Sequence, residues 1–166
     1  MREIPLTQGQ VALVDDADFK ELSKHKWCAV WNPHICSFYA VRGIRLPSGK
    51  WTSERMHRRL LCLVRGDSRQ GDHVDHNTLD NRRVNIRIVS LRENQHNRRA
   101  KGFFWNKSAR KFEAQIEAEG VKKYLGLHDT PAEARAAYLA AKPIYHPTAP
   151  LSARIIHAIA IVLVVL

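Results

Sequence analysis

Cysteine is scarce in this chain of 166 residues: Cys28, Cys36 and Cys62 are odd in number, widely spaced and without a CxxC pair. That argues against a disulfide framework and against a structural zinc site. Reduced cytoplasm is the expected compartment. Acid is scarce as well, with 16 Asp and Glu facing 27 Lys and Arg, so the formal charge is +11. Long hydrophobic runs are missing from the body of the chain, and the opening MREIPLTQGQ has no apolar signal core. The run Ile155–Leu166 is almost wholly apolar, but its length is 12 residues, well short of the ~20 that span a bilayer. No membrane partner is expected, and the tail over residues 147–166 has no assigned role.

What is present is the composition of a folded protein, 45% hydrophobic with four Trp, long enough for one ordinary domain or two small ones. The positive charge is concentrated. From Arg82 to Lys111 there are ten basic residues and a single acid, Glu93, so this stretch holds nine of the eleven net positive charges. A stripe of that kind suits a polyanionic partner, and nucleic acid is the first candidate. A basic solubilising face is the plain alternative.

The periodicities place the elements. Gln10 to Val14 reads as a strand, and Asp15 and Asp16 offer N-caps for a helix through Phe19, Leu22 and Lys24. Trp27 to Val30 and Phe38 to Ile44 read as strands, and the turn Leu46-Pro47-Ser48-Gly49 makes a hairpin with Trp51 and Thr52. Glu54 to Val64 has helical apolar spacing, Gly66 to Gly71 has loop composition, and Asp72 to Asn85 is polar and turn-rich. Ile86 to Ser90 alternates as a strand does, and Leu91 to Arg98 is a polar helix. Three strand-like pieces follow, Gly102 to Asn106, Lys111 to Glu117 and Lys122 to Leu127. Thr130-Pro131-Ala132-Glu133 then supplies an N-cap, a Pro at the first helical position and a Glu for a capping box, opening a helix expected to end near Lys142 before Pro143.

From Asp72 the sequence reads DHVDHNTLDNRRVNIRIVSLRENQHNR. It closely resembles the pattern of HNH endonucleases over about 25 residues, and Met56-His57-Arg58 looks like the helix such enzymes carry just upstream. Asp75-His76 repeats the pair Asp72-His73 three residues on, so either could be the catalytic couple. Spacing favours the first. With His73 as the leading histidine, Leu79-Asp80-Asn81-Arg82 falls into register, Asn85 and Asn94 take the second and third signature positions, and His76 takes a position usually held by glycine. A tight loop with positive φ suits Gly better than His.

The resemblance implies His73 as general base, Asn85 holding its imidazole, and Asp72 with Asn94 as ligands of one Mg²⁺ or Mn²⁺. The chemistry agrees with those residue types. Neutral imidazole, with a pKa near 6.5, can take a proton from the attacking water. A hard divalent ion favours oxygen donors and keeps several waters, so one carboxylate and one amide carbonyl are a sufficient protein contribution. Asp80 and Asn81 read as Asx-type turn residues closing the loop. Arg82, Arg83 and Arg87 either hold phosphates or form internal ion pairs. A zinc site from Cys62, His73 and His76 lacks a fourth ligand at sensible spacing.

Gly102-Phe103-Phe104-Trp105 through Tyr145 resembles the APETALA/ethylene-response-factor DNA-binding domain of plants, matching at Gly102, Trp105, Lys111, Phe112, Ala114, Ile116, Tyr124, Leu125, Gly126, Glu133, Ala134, Ala136, Ala137 and Tyr138. The resemblance implies a three-stranded antiparallel sheet on one helix, with the sheet entering the major groove. Arg110, Lys111, Lys122 and Lys123 are then backbone contacts, joined by Arg98 and Arg99 from the basic stripe. Trp105 is either on the DNA face or in the core.

The expectation is an α+β protein: a ββα-metal (HNH) nuclease unit over residues 1–99 with its core motif at 55–98, then a DNA-binding unit over 100–146. Such combinations look like phage-borne and homing endonucleases, acting in host cytoplasm or nucleoid. The expected partner is double-stranded DNA, nicked by a monomer or cut by a transient dimer. The rival from another class is a sequence-specific DNA-binding regulator without catalysis.

Overall fold

The computed structural model describes residues 1–98 and 100–149; of the residues singled out above, Arg99 and the apolar run Ile155–Leu166 lie outside them. Two compact units are distinguished, Met1–Leu91 and the chain from Arg92 onward. Both combine short helices with antiparallel strands, an α+β arrangement. Among the described residues, no helix is long and apolar enough to cross a membrane.

The first unit opens with β1 (Arg2–Pro5) paired antiparallel to β2 (Val11–Val14). The sequence pattern of β1 is weak, and the strand exists because Ile4 finds Ala12 across the pair and both are buried with Val14. In α1 (Asp16–Leu22) the last residue, Leu22, enters the core, and its carbonyl accepts from the buried indole N–H of Trp27 at 2.9 Å. A meander follows: β3 (Cys28–Asn32), β4 (Ser37–Arg45) and β5 (Trp51–Arg55), in the order β3-β4-β5. The expected hairpin forms at its turn, with Leu46 donating to Lys50 and Gly49 to Leu46.

The next helix is shorter than its apolar spacing suggests: α2 covers only Met56–Leu60. Strand pairing of Arg55 with Val41 claims its start. At its end Cys62 takes φ 54° while Leu63 N–H bonds back to Arg58 at 2.8 Å, a Schellman-type stop. Met56 and Leu60 join Ile4, Ala12, Val14, Leu22, Trp27, Ala40 and Ile86 in one core, where each large apolar side chain contributes about 1.5–3 kcal/mol. On this core rest β6 (Gln70–His73) and β7 (Ile86–Val89), an antiparallel pair joined by the loop 74–85.

The chain then enters α3 (Leu91–His96). The second unit contains β8 (Phe103–Asn106), β9 (Lys111–Ala118) and β10 (Val121–His128), with β9 central and α4 (Pro131–Tyr145) packed on the sheet. The Thr130 hydroxyl caps α4 by accepting from Glu133 N–H at 3.2 Å. The helix passes through Pro143 to Tyr145, beyond the expected end. Proline at this point removes only one late helical bond, and the last turn is kept by His146 N–H on the Lys142 carbonyl at 2.7 Å. Ile116, Tyr138 and Ala141 form the core. Gly102, at φ 81°, lies under the Tyr138 ring so closely that a Cβ would sit 2.1 Å from its Cγ. Replacing Gly102 by Ala combines backbone strain with overpacking, so Gly102→Ala is expected to destabilise the second unit by about 2–3 kcal/mol, read as loss of its amide protection in hydrogen exchange.

Candidate active site

Asp72 and His73 occupy the end of β6, where alternation sends adjacent side chains to opposite sides. Their cross-strand partners on β7 are Arg87 and Ile86. Both are buried, at 7% and 4% exposure, whereas Asp75 is exposed and His76 half-buried. The structure thus distinguishes the two Asp-His pairs by environment. His76 has φ 68°, the left-handed backbone that makes glycine the easier residue at this position.

The His73 Nε2 lies 3.4 Å from Asn81 Oδ1. Asn81 is 1% exposed, and its Nδ2 donates to the Leu79 carbonyl at 3.0 Å, which turns Oδ1 toward the histidine. A carbonyl oxygen only accepts, so this contact favours the neutral tautomer with its proton on Nε2. Burial pushes the imidazole below its ordinary pKa, opposed by the Asn81 bond and by the carboxylates of Asp72, Asp75 and Asp80.

Asn85 acts on the loop. Its Oδ1 accepts from Asp75 N–H at 3.1 Å, and its Nδ2 donates to the carbonyls of Asp80 at 2.9 Å and Asn77 at 3.4 Å. Side-chain turns continue around the loop: Asp75 receives Asn77 N–H, Asn77 receives Leu79 N–H, and Asp80 receives Arg82 N–H. The loop is also sewn to the rest of the unit. Leu13 N–H bonds to the Leu79 carbonyl at 2.9 Å, Asn81 N–H to the Leu13 carbonyl at 2.8 Å, and the Thr78 hydroxyl reaches the Phe38 carbonyl.

The arginines of the motif have internal partners. Arg87 donates from Nε to Asp72 Oδ2 at 2.9 Å, and its Nη2 lies at ion-pair distance, 2.9 Å, from the same oxygen. Arg82 grips Asp80, which is 2% exposed, and Arg83 grips Asp18 while its backbone N–H bonds Asp15. The structure therefore shows internal ion pairs at all three. Asn94 lies half-buried on α3, in the second unit.

His57 is a participant that the residue pattern does not single out. It is 3% exposed on α2, and its ring meets that of His73 edge-on, with centroids 4.7 Å apart at 76°. Tyr39 contacts both rings, and Arg55 lies over Tyr39. Burial holds His57 well below the ordinary histidine range, with His73, Arg55 and Arg58 adding to the effect. The sequence places His57 on the helix upstream of the motif without a role of its own, and the ring contacts are what bring it to His73.

In the second unit, cross-strand pairing puts Lys122 beside Glu117 and Lys123 beside Ile116, on opposite faces, with both lysines exposed. Arg98 and Arg110 are exposed, and Lys111 pairs with Asp129 at 3.0 Å. Trp105 is 48% exposed and edge-on to Phe112 at 4.8 Å, so it is part packing and part surface. Comparison with protein-family models, curated proteins and solved structures found no match.

Asp80 gives a pH signature. Its bonds from Arg82 lower its pKa below the usual 3.8 against the opposing pull of burial. A depressed carboxylate stabilises the fold above the unfolded pKa, and that contribution fades as pH falls through the lower folded value. Asp80→Asn is expected to cost about 2 kcal/mol near pH 7. In urea titrations its deficit relative to wild type should shrink progressively below about pH 4.

Proposed function

We propose that the chain is a metal-dependent DNA endonuclease of the HNH type. The carrying observation is a buried His73 whose Nε2 faces Asn81 Oδ1 at 3.4 Å, beside the buried Asp72 in the chain. In this reading Nδ1 of His73 takes a proton from water as the water oxygen attacks phosphorus. The P–O3′ bond then breaks and the 3′ oxygen leaves with developing negative charge. Asn85 maintains the loop that presents these groups, and so supports His73 through the backbone.

The donor set suits a hard divalent cation such as Mg²⁺ or Mn²⁺. A hard divalent ion takes oxygen donors and keeps several waters, so one carboxylate is a workable protein contribution. Asp72 already serves a cation, the Arg87 guanidinium. Asp72 would hold the ion in the first unit; Asn94 is a ligand in the resemblance alone. A bound divalent ion supplies charge neutralisation at the leaving oxygen.

The partner in this reading is double-stranded DNA. The second unit, an APETALA/ethylene-response-factor-like module, grips it through Arg98, Arg110, Lys111, Lys122 and Lys123, with Arg99 in the same basic stripe. One active site per chain favours nicking by a monomer, and a transient dimer would cut both strands. Arg87 on Asp72 favours a second reading, a DNA-binding regulator in which an arginine has taken the place of the metal.

Two experiments separate these readings. Supercoiled plasmid incubated with Mg²⁺, Mn²⁺ or chelator should be relaxed only with metal, and His73→Ala should abolish relaxation while His76→Ala retains it. An inactive wild type that still retards DNA in a gel establishes the regulator instead. Arg87→Gln deprives Asp72 of that guanidinium, so its melting temperature should fall in chelator and be largely restored by millimolar Mn²⁺. Indifference to Mn²⁺ would remove Asp72 as a metal ligand.

A further inference from the structure

The position two residues before His73 on β6 is Gly71, and positions 71 and 73 face the same side of the strand. A Cβ added at Gly71 would lie 2.6 Å from His57 Cδ2 and 3.2 Å from its Nε2. The His57 ring therefore fills the space that any other side chain at 71 would need. From there it abuts the His73 ring edge-on, with Tyr39 tilted against both.

We propose that His57, seated on the bare backbone of Gly71, is a positioning residue that fixes the ring orientation of His73. Asn81 contacts His73 at one nitrogen, and a ring packed edge-on at 4.7 Å restrains the plane of the imidazole, because protein interiors are close-packed and a displaced ring has nowhere to go. The pocket is narrow on both sides. A Cβ at Gly71 would also approach Leu61 Cδ1 to 3.2 Å, and His57 is carried by the same short helix that buries Met56 and Leu60. The position of the His73 ring is thus tied through α2 to the main core. The inference rests on the reading of His73 as the general base, but the packing relation it names is independent of catalysis.

The test uses the full chain and three variants: His57→Ala, which empties the pocket; Gly71→Ala, which keeps His57 but pushes it away; and His57→Phe, which restores a ring of similar shape. Long-range proton–nitrogen spectra of the imidazoles read the tautomer of His73 directly. Wild type should show one tautomer, with the proton on Nε2. His57→Ala and Gly71→Ala should show averaged tautomers, and His57→Phe should return most of the single form. In the nicking assay the first two variants should lose about 10- to 100-fold in kcat with KM for DNA changed less than about twofold, and His57→Phe should regain most of the rate. If His57→Ala does not fold, His57→Gln and Gly71→Ala make the same comparison. A single His73 tautomer and undiminished kcat in the pocket variants would overturn the positioning role. A wild type that cuts no DNA would end the nuclease reading, and the spectra alone would then decide the role of His57.

Discussion

The first unit depends on satisfying the polar backbone of the loop 74–85, which lies partly buried and has no helix or long strand to do so. Buried N–H and C=O groups cost heavily when unpaired. Here they are met by side chains short enough, and polar enough, to reach their own neighbours. Asp75, Asn77, Asp80 and Asn85 receive or donate at nearby amides. Two further backbone bonds join the loop to β2 at Leu13. The density of Asp and Asn in this stretch is thus a structural necessity. The orientation of Asn81, whose Oδ1 faces His73 Nε2, is a by-product of the same network.

Electrostatics in the two units serve different ends. In the first, Arg82, Arg83 and Arg87 each meet a carboxylate of the same unit, and Asp72 and Asp80 are buried. Breaking one such pair would strand a buried charge, which is costly even where forming the pair gains little. In the second unit Arg98, Arg110, Lys122 and Lys123 are exposed, and ion pairs such as Arg92 with Glu119 are solvent-facing. Pairs of that kind contribute little to stability, and the cations remain able to respond to a polyanion. A charge count along the chain treats the two sets alike, although the first set is matched to carboxylates of its own unit.

Much of this molecule is legible without coordinates. Period-two and helical spacing place the meander, the three strands of the second unit and the start of α4, because these patterns report burial on one face and local hydrogen bonding. The capping chemistry of Thr130 needs no tertiary partner. β1 is invisible in the pattern because its strand character comes from pairing with β2 and burying Ile4. α2 is overextended because its apolar spacing continues past the point where Cys62 turns the chain. Pro143 reads as a stop, yet one lost bond in a last turn is tolerated.

The sequence alone determined the α+β character, the polar loop and the residue types available for chemistry, since all of these follow from composition and near-neighbour spacing. Only the tertiary structure decided which groups meet. His57 faces His73 because Gly71 leaves room for it, Asn81 touches the histidine while Asn85 holds the loop, and Arg87 answers Asp72 across a two-stranded ribbon. Such meetings depend on register, burial and the space left by an absent side chain. Those are properties of packing between segments distant in the chain, and local sequence does not encode them.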